Sequence, residues 1–110
     1  MKVQLEDKEY TAMRIQLLEN YNKYREYVLE KFKQYETKII ETTRKLGLTF
    51  RSVTLSWNNY EFSVEVYCCD DLKVNNEIQV NEIFEDELKN KIPQFLLKRT
   101  WIHLGWCENE

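Results

Sequence analysis

The chain has two glycines, one proline and one histidine among 110 residues, and each scarcity closes off a class of chemistry. Phosphate cradles need clustered glycines that let backbone amides approach the ligand, whereas Gly47 and Gly105 stand far apart and each reads as the residue after a helix end. Nucleotide-dependent chemistry is therefore not expected. His103 is the sole imidazole, so any Ser-His-Asp or Cys-His device would have to be built around it, and no positioned partner can be named. It reads as a structural cation near a helix end. The shortage of Gly and Pro, with 43% hydrophobic and 14% aromatic residues, also excludes a disordered or linker-rich chain. No stretch approaches the roughly eighteen apolar residues of a membrane span. Met1–Asp7 holds no apolar leader core, so a cytoplasmic protein is the expectation.

Cysteine is sparse too. Three cannot all pair within one chain, and Cys68 and Cys69 are adjacent, which argues against a secreted disulfide framework and for free thiols. A zinc set of Cys68, Cys69, His103 and Cys107 is disfavoured because neighbours on a strand point to opposite faces and Gly105 interrupts the His103–Cys107 spacing. No metal and no cofactor is expected.

What is present begins with a repeat. Between Tyr10 and Leu46 the apolar residues return every eleven positions: Tyr10, Tyr21, Phe32; Met13, Tyr24, Tyr35, Leu46; Leu17, Val28, Ile39; and beside them Leu18, Leu29, Ile40. Eleven residues over three turns is close to the relaxed helix, so the pattern predicts one very long amphipathic helix with a straight stripe. Gly47 and Leu48 supply a left-handed stop and its apolar partner. About forty residues at about 1.5 Å each make a rod of about 60 Å. A compact domain of this size has a radius of gyration of only about 13 Å. The rod must overhang, break or be covered by another chain, and Asn20-Tyr21-Asn22 is its weakest place. The row Leu18, Leu29, Ile40 is set off from the main stripe and is a candidate partner face.

From residue 49 to 69 the apolar period changes to two, predicting a β-hairpin. A turn at Asn58-Asn59 pairs Trp57 with Tyr60, Leu55 with Phe62 and Val53 with Val64 on one face, leaving Thr54, Ser56, Glu61, Ser63 and Glu65 on the other. Phe50 and Tyr67 then meet across that polar face as a small contact patch. Leu72, Val74, Ile78 and Val80 suggest one or two further strands with a turn at Asn75-Asn76. Asn81 is the expected N-cap of a helix carrying Phe84, Leu88 and Ile92 inward, which Pro93 stops. Pro93 opens a last helix through Leu104, with Leu97, Trp101 and Leu104 inward.

The formal charge of -3 is too mild for a nucleic-acid binder acting through its bulk field. Basic residues of the long helix are interrupted by Glu19, Glu26, Glu30, Glu36 and Glu41, so nucleic acid is not the expected partner. The acidic excess lies after Cys69, where Asp70, Asp71, Glu85 and Asp86 are candidate partner contacts without the spacing of a calcium loop.

These readings give a single α+β domain, 1–110, with a long N-terminal helix on a small antiparallel sheet of three or four strands and two short C-terminal helices. The expected function is non-enzymatic: a small cytosolic inhibitor or adaptor that docks stoichiometrically on another protein, of the anti-defence kind carried by phages and mobile elements. The overlong helix implies a homodimer. The alternatives are a secretion chaperone or toxin-immunity protein, and then a nucleic-acid-binding module.

Overall fold

The predicted rod is two helices. A computed structural model describes residues 2–16, 20–70 and 76–107, with α1 at Lys2–Ile15 and α2 at Tyr21–Lys45. The break falls beside the Asn20-Tyr21-Asn22 weak point, and Asn20 takes a non-helical φ of -136° as the N-cap of α2. Contacts between the helices run in opposite order, Tyr10 with Tyr24 and Glu6 with Tyr27 and Tyr35, so α1 folds back antiparallel on α2. The expectation of a 60 Å rod exceeding its own cover is therefore corrected. α2 alone, about 37 Å long at 1.5 Å per residue, fits within principal extents of 45 × 31 × 20 Å. Its rows Tyr24/Tyr35, Val28/Ile39 and Phe32 are buried in this chain's own core.

The C-terminus of α2 follows its sequence signals. Gly47 has φ +85°, its amide donates to Arg44 O at 2.9 Å and the Leu48 amide to Thr43 O at 3.4 Å, which is a Schellman cap. Strands β1 (Phe50–Asn58) and β2 (Glu61–Cys68) form the expected hairpin, displaced two residues in register. Trp57 pairs with Phe62, Leu55 with Val64 and Val53 with Val66. The turn residues are Asn59 and Tyr60, with φ +53° and +66°. A shift of two keeps Val53, Leu55, Trp57, Phe62 and Val64 on their expected face, so alternation alone could not distinguish the registers. The observed one sets Tyr60 edge-on to Tyr21, at 4.9 Å.

After β2 the expectations fail in an informative way. Residues 71–75, with Leu72, Val74 and Asn75, lie outside the described residues. Ile78 and Val80 belong to helix α3 (Glu77–Leu88), whose N-cap is Asn76, its side chain accepting the Ile78 amide at 2.9 Å. Phe84, Leu88 and Ile92 do point inward. The last predicted helix is a single turn, α4 (Gln94–Leu97), followed by strand β3 (Thr100–His103) parallel to β2. The sheet is thus mixed, in the order β1-β2-β3. Leu97, Trp101 and Leu104 have helical spacing, yet Trp101 faces outward at 37% exposure because residues 100 to 103 alternate as a strand.

Asn81, expected as an N-cap, lies inside α3 and is buried. Its side-chain amide donates to Ile102 O at 3.0 Å and its carbonyl accepts the Ile102 amide at 2.7 Å. The amide therefore replaces a neighbouring strand along the outer edge of β3. Asn81→Ala would leave both Ile102 groups buried and unpaired, lowering stability by about 2–4 kcal/mol. Asn76→Ala, which removes one cap bond, should lower it by about 1 kcal/mol. Urea denaturation of both variants checks the order, and a larger loss for Asn76→Ala would contradict it.

Candidate functional site

One face of the sheet carries Val53, Leu55, Trp57, Phe62, Val64, Val66 and Ile102 against the helices. On the other lie Thr54 and Ser56 of β1, Ser63, Glu65 and Tyr67 of β2, and Trp101 and His103 of β3, none of them buried. Parallel pairing places Glu65 opposite Trp101 and Tyr67 opposite His103. The Tyr67 and His103 rings stack at 5.1 Å with 18° between planes, and Trp106 closes on Tyr67 edge-on at 4.7 Å. His103 Nε2 meets Glu65 Oε1 within hydrogen-bond reach, and both side chains stay about a quarter exposed. The result is a firm aromatic row with a carboxylate beneath it, on a sheet that cannot rearrange cheaply.

Trp106 is held there by backbone and covalent ties. Its amide donates to Cys68 O at 2.9 Å, and the next residue, Cys107, forms a disulfide with Cys69, Cα to Cα 4.5 Å. The free-thiol expectation is corrected for these two cysteines. Pairing was overlooked because Cys69 and Cys107 come together only once β3 runs parallel beside β2, which the predicted helix forbade. Cys68 is a free, buried thiol, pushed up to about 11 by burial and by Asp70. Among the described residues no group of three His, Cys, Asp or Glu could hold a metal ion.

Beside this row, Glu77 at the start of α3 accepts the Trp101 indole N–H at 2.9 Å and the Leu104 amide at 3.0 Å. Burial pulls the Glu77 carboxyl upward, but these two donors and nearby His103 outweigh it and hold the group below the usual carboxylate range. Trp101, Ile78, Glu82 and Glu85 line a groove of about 230 Å³ between α3 and β3. Ile78 is 60% exposed.

The predicted contact residues are dispersed. Tyr67 is on the outer face as expected, but Phe50 is not beside it. A bulge at Arg51 lets Phe50 pair with Cys68 and turns its ring to the core side, under the Arg44 guanidinium. Asp70 accepts the Thr49 amide at 2.9 Å and so braces the loop before β1. Glu85 lines the α3 groove, while Asp86 pairs with Lys89 on the solvent side. Leu29 is 42% exposed and Ile40 half-buried. Leu18 and Asp71 lie outside the described residues. Trp101, His103 and Trp106 complete the outer cluster: the Thr100–His103 alternation sets the first two on that face, and the tie to Cys68 brings Trp106 beside them.

Two measurements test this geometry. Protein prepared without reductant should titrate one thiol per denatured chain and three after reduction, and Cys107→Ser should lose about 2–4 kcal/mol of stability. Three thiols at the outset would refute the bond. Glu77 and Glu61, the latter held low by the Arg14 guanidinium, both have folded pKa values below the unfolded 4.5. Their stabilisation is complete above that value and is lost as pH falls through the lower folded one. Urea midpoints should therefore drop between about pH 5 and about pH 3, and less steeply in Glu77→Gln. An unchanged slope would show that Glu77 carries no such linkage. Comparisons of the chain with protein-family models, curated proteins and solved structures give no match, which leaves the geometry to speak for function.

Proposed function

We propose that the chain is a non-enzymatic protein-binding module that docks stoichiometrically on a larger protein through the outer face of its sheet. The observation that supports this is the row of Tyr67, His103 and Trp106, none of them buried among the described residues, with Trp101 on the same face. Tyr and Trp held rigidly on a scaffold are the residues that dominate interface energetics, because they bury much area while losing few rotamers. Glu65, Glu77, Glu82 and Glu85 around them favour a partner presenting Arg or Lys, whose cations also suit aromatic faces.

A small acidic module of this kind fits the role of an inhibitor or adaptor aimed at a basic functional surface, including the anti-defence role of phages and mobile elements. No helix among the described residues is long and apolar enough to cross a membrane. The Cys69–Cys107 bond favours an oxidising compartment over the reducing cytoplasm first expected.

The test is capture from the native cell with the wild type and with Tyr67→Ala/Trp106→Ala, each first checked for an unchanged circular-dichroism spectrum. A partner retained in fixed ratio and lost by about tenfold or more in the variant supports the reading. Retention of the same partner by both proteins overturns it. Recovery of nucleic acid instead, with binding that falls steeply with salt, overturns it in favour of the nucleic-acid alternative.

A further inference from the structure

The two edges of the sheet are finished in opposite ways. Asn81 occupies the outer edge of β3, whereas β1 pairs with no other strand on its outer side among the described residues. The Val64 amide donates to Arg99 O at 2.7 Å, away from β1, so the Leu55–Val64 pair is a non-hydrogen-bonded one. By alternation, the N–H and C=O groups of Val53, Leu55 and Trp57 all point outward from the sheet. From Ser52 to Asn58 this edge carries no charge and no proline, the devices that keep monomeric sheets from pairing.

Beside the edge lies a groove of about 490 Å³ lined by Asn22, Arg25, Glu26, Leu29, Leu55 and Trp57. Leu29, 42% exposed, is the apolar centre of a stripe on α2 at alternating spacings of four and three: Asn22, Glu26, Leu29, Lys33, Glu36.

We propose that β1 is the seam of a homodimer, pairing antiparallel with β1 of a second copy about a two-fold axis at Leu55. This register sets Val53 against Trp57 of the second copy and Leu55 against itself, so all six outward backbone groups bond. Thr54 then faces Ser56 across the seam. The same axis brings Leu29 toward Leu29 of the second copy and Glu26 toward Lys33 of the second copy, an exchange of opposite charges on both sides. The seam is self-complementary in hydrogen bonding, in apolar contact and in charge. It differs from the helical rod first expected, and it is independent of what the outer face binds.

Sedimentation equilibrium over a concentration series, with oxidised full-length protein, tests it. Dimer is expected for the wild type. Thr54→Lys/Ser56→Lys places like charges directly across the seam on a solvent face, where within one chain they meet only Glu65 and Ser63. Dimer affinity should fall about tenfold or more with the fold intact. Glu26→Lys should weaken it several-fold and Glu26→Lys/Lys33→Glu should restore it. Exchange of the Val53, Leu55 and Trp57 amides should slow as concentration rises. A strictly monomeric wild type, or a dimer indifferent to both sets of substitutions, overturns the proposal. So does protection of those amides only on adding another protein.

Discussion

The fold turns on a buried carboxylate. Glu6, only 4% exposed, sits where α1 crosses α2, and a charge in that position persists only if other groups answer it. Lys31 Nζ approaches Oε1 at 3.0 Å as a counter-charge, off hydrogen-bond geometry, while the Tyr35 hydroxyl donates to the other oxygen. Burial and the adjoining carboxylate raise the Tyr35 hydroxyl above the ordinary tyrosine range, so it remains a donor at any physiological pH. Such an arrangement adds little net stability compared with apolar residues, but losing one partner strands the others at about 3–5 kcal/mol. In the folded-back hairpin Glu6 gains both a counter-charge and a hydroxyl donor from α2, although its Oε1 accepts no hydrogen bond.

Everything C-terminal leans on that fold-back. One residue beyond Glu6, Asp7 accepts the amides of Gln94 and Phe95 at 3.0 and 2.8 Å, capping α4 from across the molecule. Tyr10 stacks on Phe95 with rings 4.2 Å apart and 4° from parallel. Arg14 at the end of α1 reaches Tyr24 and Glu61, tying the start of β2 to both helices. Four residues of helix could not hold their own N-terminus in water. Supported by α1, α4 turns the chain into β3, and β3 brings His103 and Trp106 beside Tyr67.

What could be read from the sequence was whatever local periodicity encodes. The faces of the hairpin, the Schellman stop at Gly47 and the inward stripe of α2 follow from repeats of two, from a lone glycine and from repeats of eleven. The break before Tyr21 was visible as a weakness, but choosing the break required knowing that Glu6 and Tyr10 have partners 21 and 14 residues away. Asn81 shows the limit most plainly: five residues past the true cap, it carries the same cap-forming amide, and only the position of Ile102 decides what that amide does. Trp101 misled for a related reason. Its helical spacing to Leu97 and Leu104 is real, yet Leu97 is buried from α4 and Leu104 from the residue that follows β3. Tyr67 lies on its expected face because alternation alone places it, whereas the side that Phe50 takes depends on a bulge no periodicity announces.

The acidic excess that the composition placed after Cys69 acquires a structural meaning here. Glu77 accepts the Trp101 indole N–H and the Leu104 amide beside β3, and Glu87 pairs with Lys45 of α2, so these acidic groups are held by contacts within the fold. If the outer face docks as proposed, Glu77 is already fixed beside it, and binding then loses less conformational freedom than a loop would. Pairing at β1 would add to this without new contacts to the partner. In the proposed dimer a two-fold axis normal to the sheet would keep α1 and α2 of both copies on one side and set both aromatic rows on the other, facing one direction. Two weak sites so linked act at a high effective concentration on any target that repeats its own surface. In that dimer the open edge of β1 would double what the outer face presents.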